Sequence, residues 1–361
     1  MHIVIFVKNL RVGGLQRVAV NLINEFTKWS DVSIILLEKD GRFLEKINSE
    51  AKIYELPYSS LKFNMLHGIH LFRRLQPDVI LSFQTVYNLY VLIIATLGRI
   101  DAKIILTEHD RFSAKLKEWH SIYTKLVKIF YTYADLIITP SIGLEEDIKR
   151  TNIVDNSRIK TIYNPIVNLK DTTPNQNPIY KNLGSFDYII AAGGRLTNNK
   201  NLELVIKSFD LSKSKQNGLL IIFGNGPQLS KLQSIVKNRS LDEHVCFVGH
   251  QQNVSGLLQM CDAYILTSKH EALPTTLIES LAVGTYVISV DCDYGPREII
   301  ENPNVGLLIR EYDPIAIAEG IDSAIKMEVD EQLLIKSSER FSIKYRSLEY
   351  KEQINKLLSE N

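Results

Sequence analysis

Two carboxylates stand eight positions apart in the stretch HEALPTTLIESLAVG, which starts at His270 and contains Glu271 and Glu279. Paired acids can act as a general acid and base, as structural partners, or as hydrogen-bond acceptors for a ligand. Pro274 suits the first position of a helix, apolar residues follow at helical spacing, and Gly284 suits the helix end. Glu271 is therefore predicted in a loop, and Glu279 about one and a half turns into a helix.

Two cations, Arg195 and Lys200, lie in the polar stretch GGRLTNNKN, directly before a predicted helix. Cations at the amino end of a helix oppose its dipole unless an anion lies between them and the free backbone amides. A diphosphate would satisfy the cations and the amides together. The amides of residues 273–276 are expected to point toward the same anion. Two solvated basic side chains are the plainer alternative.

Glycines follow several apolar runs. Gly13 and Gly14 come after the first run, where a missing side chain lets the backbone approach a ligand near a helix start. Gly224, in FGNGPQ, occupies the equivalent place in a later run. Close packing and turn geometry explain these three glycines as well as ligand contact does. Their spacing is not GxGxxG, so a dinucleotide site is only a minor alternative.

Short apolar runs alternate with longer amphipathic stretches along the chain, and they supply the elements that must position these residues. Runs that are apolar throughout are typical of parallel strands buried on both faces. The predicted strands are 2–7, 32–37, 51–56, 78–83, 102–107 and 134–140, then 187–193, 218–224, 244–249, 262–268, 285–291 and 305–309. This pattern predicts two doubly wound α/β domains, whose strand ends would meet at a shared cleft.

A polar stretch with two prolines, DTTPNQNPIYKNLGS, separates the two sets of strands and predicts a linker. The expected boundaries are a first domain at 1–168, a linker at 169–186 and a second domain at 187–341. Residues 342–361 are predicted to form a C-terminal helix that packs back toward the first domain.

The composition narrows the function classes. The chain has 361 residues, 45% hydrophobic and 23% charged, with a net charge of +1, which gives no global attraction to nucleic acid. Residues 1–165 carry 22 Lys and Arg against 17 Asp and Glu, and the remainder carries 20 against 24. Three cysteines without CxxC spacing argue against a zinc site and favour a reducing, cytoplasmic compartment.

GGLQRV, GGRLTNNKN, FGNGPQ and above all HEALPTTLIESLAVG resemble glycosyltransferase family 4, the retaining enzymes of GT-B fold, in matching order over nearly the whole chain. The resemblance implies a GT-B fold with two Rossmann-like parallel-sheet domains facing a central cleft. It also implies an acceptor-binding N-terminal domain and a nucleotide-sugar-binding C-terminal domain. Similar enzymes often have Glu where GGLQRV has Gln16, so Gln16 is assigned no role.

The resemblance assigns roles to the matching side chains. Arg195 and Lys200 would bind the diphosphate of a nucleotide-sugar, Glu271 would contact sugar hydroxyls, and Glu279 would hold the ribose. His109, after the run AKIILT, would face the reacting sugar, whereas a lone histidine is more often structural. The catalytic set is therefore His109, Glu271, Arg195 and Lys200. The remaining expected donor contacts come from the backbone or from adjoining loops at Gly13, Gly14, Gly224, Gly249, Leu273, Pro274, Thr275 and Thr276.

Asp291 and Asp293, in VDCDYGPREII, resemble the DxD metal motif of the other large glycosyltransferase class. They follow a late strand without a further ligand cluster, so a turn role is predicted and no metal or other cofactor is expected. GPREI resembles family members that transfer a hexose or N-acetylhexosamine in bacterial surface-polysaccharide assembly.

Residues 111–133 are predicted to form one long helix. Over 111–130 it carries five basic residues against one acid, with aromatic residues between them, so it could lie on an anionic lipid surface. A core-packed helix with a solvated basic face is the alternative. With Arg73 and Arg74 on another helix, the pattern favours peripheral contact with the inner face of the plasma membrane and a polyprenyl-diphosphate-linked acceptor.

The predicted function is transfer of a hexose or N-acetylhexosamine from a UDP-sugar to a saccharide acceptor, in bacterial O-antigen or capsule assembly. A nucleotide-sugar epimerase of the same fold and a non-catalytic nucleotide-sugar-binding protein are the open alternatives. A two-carboxylate glycosidase would leave the cations and the strand-end glycines unexplained. No nucleic-acid partner is expected.

Overall fold

The computed structural model describes residues 1–11, 13–119, 121–168 and 186–360. The chain divides into two compact units, one formed by Met1–Ile166 with Ile343–Asn361 and the other by Val167–Ser342. The predicted linker at 169–186 lies outside the described residues apart from Phe186.

The first unit is built on a parallel sheet. Its strands are β1 His2–Val7, β2 Asp31–Leu36, β3 Lys52–Glu55, β4 Val79–Phe83, β5 Lys103–Thr107, β6 Leu136–Thr139 and β7 Ile159–Thr161. The strand order is β3-β2-β1-β4-β5-β6-β7, with Ile3 of β1 paired to Val32 on one side and to Val79 on the other. β1 is buried from Ile3 to Val7 and β4 is buried throughout, which explains why these segments are apolar apart from Ser82.

Helices connect these strands. The helices are α1 Gly14–Phe26, α2 Met65–Leu75, α3 Thr85–Gly98, α4 Phe112–Glu118, α5 Ser121–Phe130 and α6 Ile142–Lys149. Short 3-10 helices occur at Arg42–Lys46, Leu61–Asn64, Tyr131–Tyr133 and Asn156–Arg158.

The second unit repeats the architecture. Its strands are β8 Tyr188–Gly193, β9 Gly218–Phe223, β10 Val245–Gly249, β11 Ala263–Leu266, β12 Tyr286–Val290 and β13 Gly306–Ile309. They form a parallel sheet in the order β10-β9-β8-β11-β12-β13. The helices are α7 Leu202–Leu211, α8 Leu229–Asn238, α9 Val254–Leu258, α10 Thr275–Ala282, α11 Pro296–Ile299, α12 Pro314–Ala324 and α13 Glu331–Ser338. Further 3-10 turns lie at Lys213–Gln216 and Glu339–Phe341.

The last helix, α14 Ile343–Ser359, belongs to the first unit. Tyr350 of α14 is buried, and its ring centroid lies 6.2 Å from that of Phe26 in α1. The Lys351 ammonium lies 4.8 Å from the ring centroid of Trp29. The end of the chain thus completes the core beside its first helix.

The twelve predicted strands are present, each within two residues of its predicted bounds. Strand β7 is additional. It has three residues with Lys160 in the middle, and it pairs at the sheet edge through Thr139 and Thr161, so it carries no apolar run that a sequence pattern would detect.

The prediction of one helix over 111–133 is wrong. Trp119 has an extended backbone that ends α4, and α5 begins at Ser121. The Leu116 carbonyl accepts a hydrogen bond from the Thr124 hydroxyl at 3.0 Å, so a side chain satisfies a group that a continuous helix would satisfy internally. Trp119 packs against the hydrophobic core. The tertiary contacts therefore override the continuous helical spacing of the apolar residues.

Among the described residues, no helix combines the length and the apolar character needed to cross a lipid bilayer.

Candidate functional site

Lys200 and Glu271 form an ion pair in the second unit, with the Lys200 ammonium 2.6 Å from Glu271 Oε1. Lys200 follows β8 and Glu271 follows β11, and these strands are neighbours in the sheet. The side chains are 21% and 13% exposed, so solvent screens their attraction less than that of a surface pair. The structure thus joins two of the predicted site residues directly at the carboxyl edge of the sheet.

Arg195 lies in the same loop after β8, with an exposed side chain. Its carbonyl accepts the Thr197 N–H at 2.8 Å, which turns the loop back toward Lys200. The carboxylate of Glu271 is therefore held by Lys200, while Arg195 is exposed to solvent.

Glu279 is buried on α10, at 8% exposure. The helix begins at Thr275, one residue later than predicted, because Pro274 keeps an extended backbone with ψ of 101°. The amides of Thr275 and Thr276 lie in the first helical turn, where N–H groups have no partner four residues back. That turn contains no acid, so its positive end is not neutralised by its own side chains.

Tyr264, on β11, is influenced by the charges of both carboxylates, Glu271 and Glu279. It is fully buried and its hydroxyl donates to the Gly193 carbonyl at 3.3 Å. Burial raises the pKa of Tyr264, and the charges of Glu271 and Glu279 raise it further. Both carboxylates therefore act electrostatically on the same buried phenol.

Glycines bring the strand ends of the second unit into close contact. Gly224 has φ of +105°, and a Cβ there would lie 1.8 Å from the Gly194 carbonyl oxygen. The Gly224 N–H donates to the Gly249 carbonyl at 2.7 Å. Backbone geometry alone therefore requires glycine at 224. Gly249 has φ of +66° and open space where a side chain would begin.

The loop after β12 packs closely against the segment before α10. A Cβ on Gly295 would lie 2.6 Å from Pro274 Cδ and 3.0 Å from the Ala272 carbonyl oxygen. Arg297 donates from Nε and Nη2 to the two carboxylate oxygens of Asp291, at 2.9 and 3.1 Å. GPREI thus supports the segment that carries the predicted phosphate-binding amides, and Asp291 is an ion-pair partner.

Cys292 and Tyr312 lie beside this region. Burial raises the pKa of Cys292 to about 12, and the charges of Glu271 and Asp291 contribute to the rise. The Tyr312 hydroxyl donates to the Ser268 carbonyl at 2.9 Å, and burial together with nearby negative groups raises its pKa to about 12. Both groups are therefore neutral at physiological pH.

His109 follows β5 in the first unit. Its ring is stacked on Phe83 at 5.9 Å between centroids, and Nε2 lies 3.2 Å from Thr107 Oγ1. Burial lowers the pKa of His109 to about 4, the Lys115 charge lowers it as well, and Asp110 opposes both. The imidazole is therefore neutral near pH 7 and can donate or accept one hydrogen bond.

Glu108 is fully buried beside His109. Its carboxylate accepts hydrogen bonds from Thr85 at 2.7 Å, from the Asn88 amide at 2.7 Å and from the Tyr131 hydroxyl. Burial raises the pKa of Glu108, and these hydrogen bonds limit the rise. The network joins the start of α3, the end of β5 and the 3-10 helix Tyr131–Tyr133.

Gly13 and Gly14 lie at the start of α1 in the first unit. A Cβ on Gly13 would lie 2.4 Å from Gln16 Oε1, so the missing side chain makes room for Gln16. Gln16 thus has a packing contact that the sequence does not indicate.

Among the described residues, no group of three or more His, Cys, Asp or Glu side chains is arranged to hold a metal ion. Four residues of the site region belong to no motif that the sequence analysis used, because their contacts exist only once the loops have folded. They are Tyr264, Thr267, Asn199 and Tyr312. The one available signal is position, since Asn199 and Thr267 stand within four residues of predicted site residues.

Two family models match the chain. The model described as glycosyltransferase family 4 matches residues 12–167, and the model described as glycosyl transferases group 1 matches residues 177–347. Together they cover both units.

Two relatives come from Campylobacter jejuni. One is a GalNAc-alpha-(1->4)-GalNAc-alpha-(1->3)-diNAcBac-PP-undecaprenol alpha-1,4-N-acetyl-D-galactosaminyltransferase, 28% identical over 100% of this chain and 99% of its own. The other is an N-acetylgalactosamine-N,N'-diacetylbacillosaminyl-diphospho-undecaprenol 4-alpha-N-acetylgalactosaminyltransferase, 25% identical over 89% of each chain.

A solved structure, Alr3699/HepE of Anabaena in complex with UDP and glucose, is similar with a TM-score of 0.82. The identity is 16%, and the similarity covers 99% of this chain and 100% of that one. At this identity the similarity establishes the fold, which is GT-B. With the two family models and the relatives, it leads to one conclusion: the chain is a glycosyltransferase of the family 4 type.

Proposed function

We propose that the protein is a retaining glycosyltransferase that moves a hexose or N-acetylhexosamine from a UDP-sugar to a lipid-linked saccharide in bacterial surface glycan assembly. The observation that carries this proposal is the ion pair of Lys200 and Glu271. The pair combines a cation suited to a diphosphate with a carboxylate suited to sugar hydroxyls, 2.6 Å apart on neighbouring strand ends.

In the proposed step, the bond between the anomeric carbon and the diphosphate oxygen breaks, and the bonding electrons pass to the diphosphate. The acceptor hydroxyl oxygen bonds to the same face of that carbon and passes its proton to the departing diphosphate. Lys200, Arg195 and the amides of Thr275 and Thr276 would stabilise the charge on the leaving group. Preorganised donors of this kind typically contribute about 100- to 1000-fold in rate each.

The other proposed contacts follow the family resemblance. Glu271 would bind sugar hydroxyls and Glu279, buried on α10, would hold the ribose. The loop after Gly249 would border the base, and the open space at that residue supports this assignment. His109 would donate or accept a hydrogen bond at the sugar, and its low pKa of about 4 supports a neutral imidazole in that role.

We also propose that turnover needs no metal, because the cations and helix amides supply the positive charge that a metal would otherwise provide. Treatment with EDTA would then leave the rate unchanged. A rate that falls with EDTA and returns with added magnesium would contradict this part of the proposal.

The UDP-sugar and the acceptor draw support from similar proteins. The Anabaena structure contains UDP and glucose, and the names of both Campylobacter relatives include undecaprenol-linked saccharides. A polyprenyl-linked acceptor lies at a membrane, so the enzyme would work as a cytoplasmic protein that contacts the inner face of the membrane.

Helix α5 supports this membrane contact. Ile122 and Ile129 are 61% and 56% exposed, and their spacing of seven residues places them on one face of α5. Tyr133, 55% exposed, lies in the 3-10 helix that follows. Lys125 and Lys128 lie between the two isoleucines on the same exposed helix. An exposed apolar stripe flanked by cations fits the interface of an anionic bilayer.

A second surface of the first unit has the same character. Phe63, in the 3-10 helix before α2, and Leu66, in the first turn of α2, are 67% and 79% exposed. The sequence from 56 to 77 contains Lys62 and two arginines and no acid. Both surfaces therefore favour an anionic lipid partner.

The decisive experiment measures UDP release from a panel of UDP-sugars, first ranked by thermal shift, with and without a synthetic polyprenyl-diphosphate-linked saccharide. The proposal expects release that depends on the acceptor. Conversion of the donor sugar without acceptor would favour an epimerase, and thermal stabilisation without release would favour a binding protein.

A further inference from the structure

We propose that Thr267 and Asn199 are positioning residues that hold the Lys200 loop against the Glu271 loop. The inference rests on the function proposed for the Lys200–Glu271 pair. It concerns residues that touch the two loops and not the substrate.

Thr267 makes the first connection. It follows β11 and is 1% exposed, and its hydroxyl donates to the Asn201 carbonyl at 3.0 Å and to the Lys200 carbonyl at 3.3 Å. Because this hydroxyl is buried, water cannot take its place as the donor to the two carbonyls if the hydroxyl is removed. One of the two acceptors of this shared hydrogen bond is the main-chain carbonyl of Lys200 itself.

Asn199 makes the second connection, in two places. Its carbonyl accepts the Lys269 N–H at 2.8 Å, and its side-chain amide donates to the His270 carbonyl at 2.9 Å. The residue before Lys200 is thereby joined to the residue before Glu271.

These contacts decide where the Lys200 ammonium can lie. A lysine side chain has a flexible four-carbon stem, so an ion pair in partial contact with solvent does not fix its own geometry. The hydrogen bonds of Thr267 and Asn199 fix the separation of the two main chains, and that separation keeps the Lys200 ammonium within reach of Glu271, 2.6 Å away. A shift of about 1 Å in such a group can cost about 100-fold in rate.

The second unit offers matched controls. Thr285 is 2% exposed, and its hydroxyl donates to the Leu258 carbonyl at 2.7 Å, before β12 and so at the opposite edge of the sheet. Asn217 donates to the Asp187 carboxylate at 2.8 Å on the surface. Thr285, like Thr267, loses a buried hydroxyl that donates to a carbonyl, and Asn217, like Asn199, loses an exposed side-chain amide, although its acceptor is a carboxylate.

The test uses the full chain and compares Thr267→Val with Thr285→Val, and Asn199→Ala with Asn217→Ala. In each background, a double-mutant cycle of Lys200→Met and Glu271→Gln measures the coupling of the pair from thermal midpoints. Isothermal calorimetry measures the Kd for UDP.

We expect Thr267→Val and Thr285→Val to lower Tm by similar amounts, because each loses one buried hydroxyl. Only Thr267→Val should abolish the coupling of Lys200 with Glu271, and it should weaken UDP binding about 10-fold. Asn199→Ala should act in the same direction with a smaller loss, and Asn217→Ala should leave both quantities unchanged.

Retention of the coupling in both Thr267→Val and Asn199→Ala would overturn the inference. If Thr267→Val does not fold, Asn199→Ala with its control decides the matter. If the wild type does not bind UDP, the proposed donor is wrong, and the coupling cycle still decides whether these residues position the pair.

Discussion

At the scale of single residues, Lys200 and Glu271 depend on each other. Each is the other's ion-pair partner in a half-buried setting, so removing one leaves the other charge without compensation. The sequence singles out both residues as candidates, because cations before a helix and acids around a proline form local patterns. It does not identify Thr267 or Tyr264, because a single threonine or tyrosine at a strand end forms no pattern until the strands are side by side.

We predict that Lys200→Ala lowers acceptor-dependent turnover by at least about 100-fold, because the leaving diphosphate loses a preorganised cation. The matched control is Lys231→Ala, which breaks an ion pair of equal length, 2.6 Å to Glu203, on the surface of the same unit. Turnover is followed by UDP release, and folding by thermal denaturation. Near-normal turnover in Lys200→Ala would contradict the assignment.

The pKa of His109 predicts a pH effect on stability. It is about 4 in the folded protein, against 6.5 for an unperturbed histidine, so between these values the unfolded chain binds the extra proton. Stability from His109 is therefore complete above pH 6.5 and is lost as the pH falls toward 4, by at most about 1.4 kcal/mol per pH unit.

The measurement compares urea midpoints of the wild type and His109→Asn at pH 7 and pH 5. Glu108 has a raised pKa, which acts in the opposite direction, but it is present in both proteins and cancels. We expect the wild type to lose more stability than the variant on acidification. Equal losses would show that His109 is not held neutral.

At the scale of elements, helix periodicity predicts the apolar faces of the segment 111–133 but not its interruption. Phe112, Leu116 and Val127 keep helical spacing across the break at Trp119. The interruption depends on a hydrogen bond from Thr124 to Leu116, a contact between neighbouring helices that the spacing does not encode. Strands were easier to predict because burial on both faces leaves a continuous apolar run.

We predict that Ile122→Ser with Ile129→Ser reduces sedimentation with anionic liposomes at low salt, because the stripe on α5 loses apolar area while its lysines remain. The control, Leu211→Ser with Ile315→Ser, changes two residues that are 55% and 59% exposed in the second unit. Equal sedimentation of both double variants would remove the support for α5 as the lipid-binding face.

At the scale of the whole molecule, each unit has its own sheet, and the chain leaves the first unit and returns to it. The sequence predicts two α/β domains and a final helix, because these features repeat a pattern over many residues. The contact of Tyr350 with Phe26 is not predictable, because nothing near either residue marks the other as its partner.

We predict that Tyr350→Ala destabilises the first unit by about 3–5 kcal/mol, the usual loss for a large buried ring. Tyr345→Ala is the control on the same helix, since Tyr345 is 50% exposed and Tyr350 is 1% exposed. Thermal denaturation of the full chain checks the difference. A midpoint for Tyr350→Ala equal to that of Tyr345→Ala would contradict the role of α14 in the core.

The return of α14 also has a consequence for synthesis on the ribosome. Helix α1 precedes the whole second unit in the chain, while α14, which covers it, follows that unit. During translation the first unit exposes the apolar surface around Phe26 for as long as the second unit is being made. The first unit is therefore completed only after the second unit has been made.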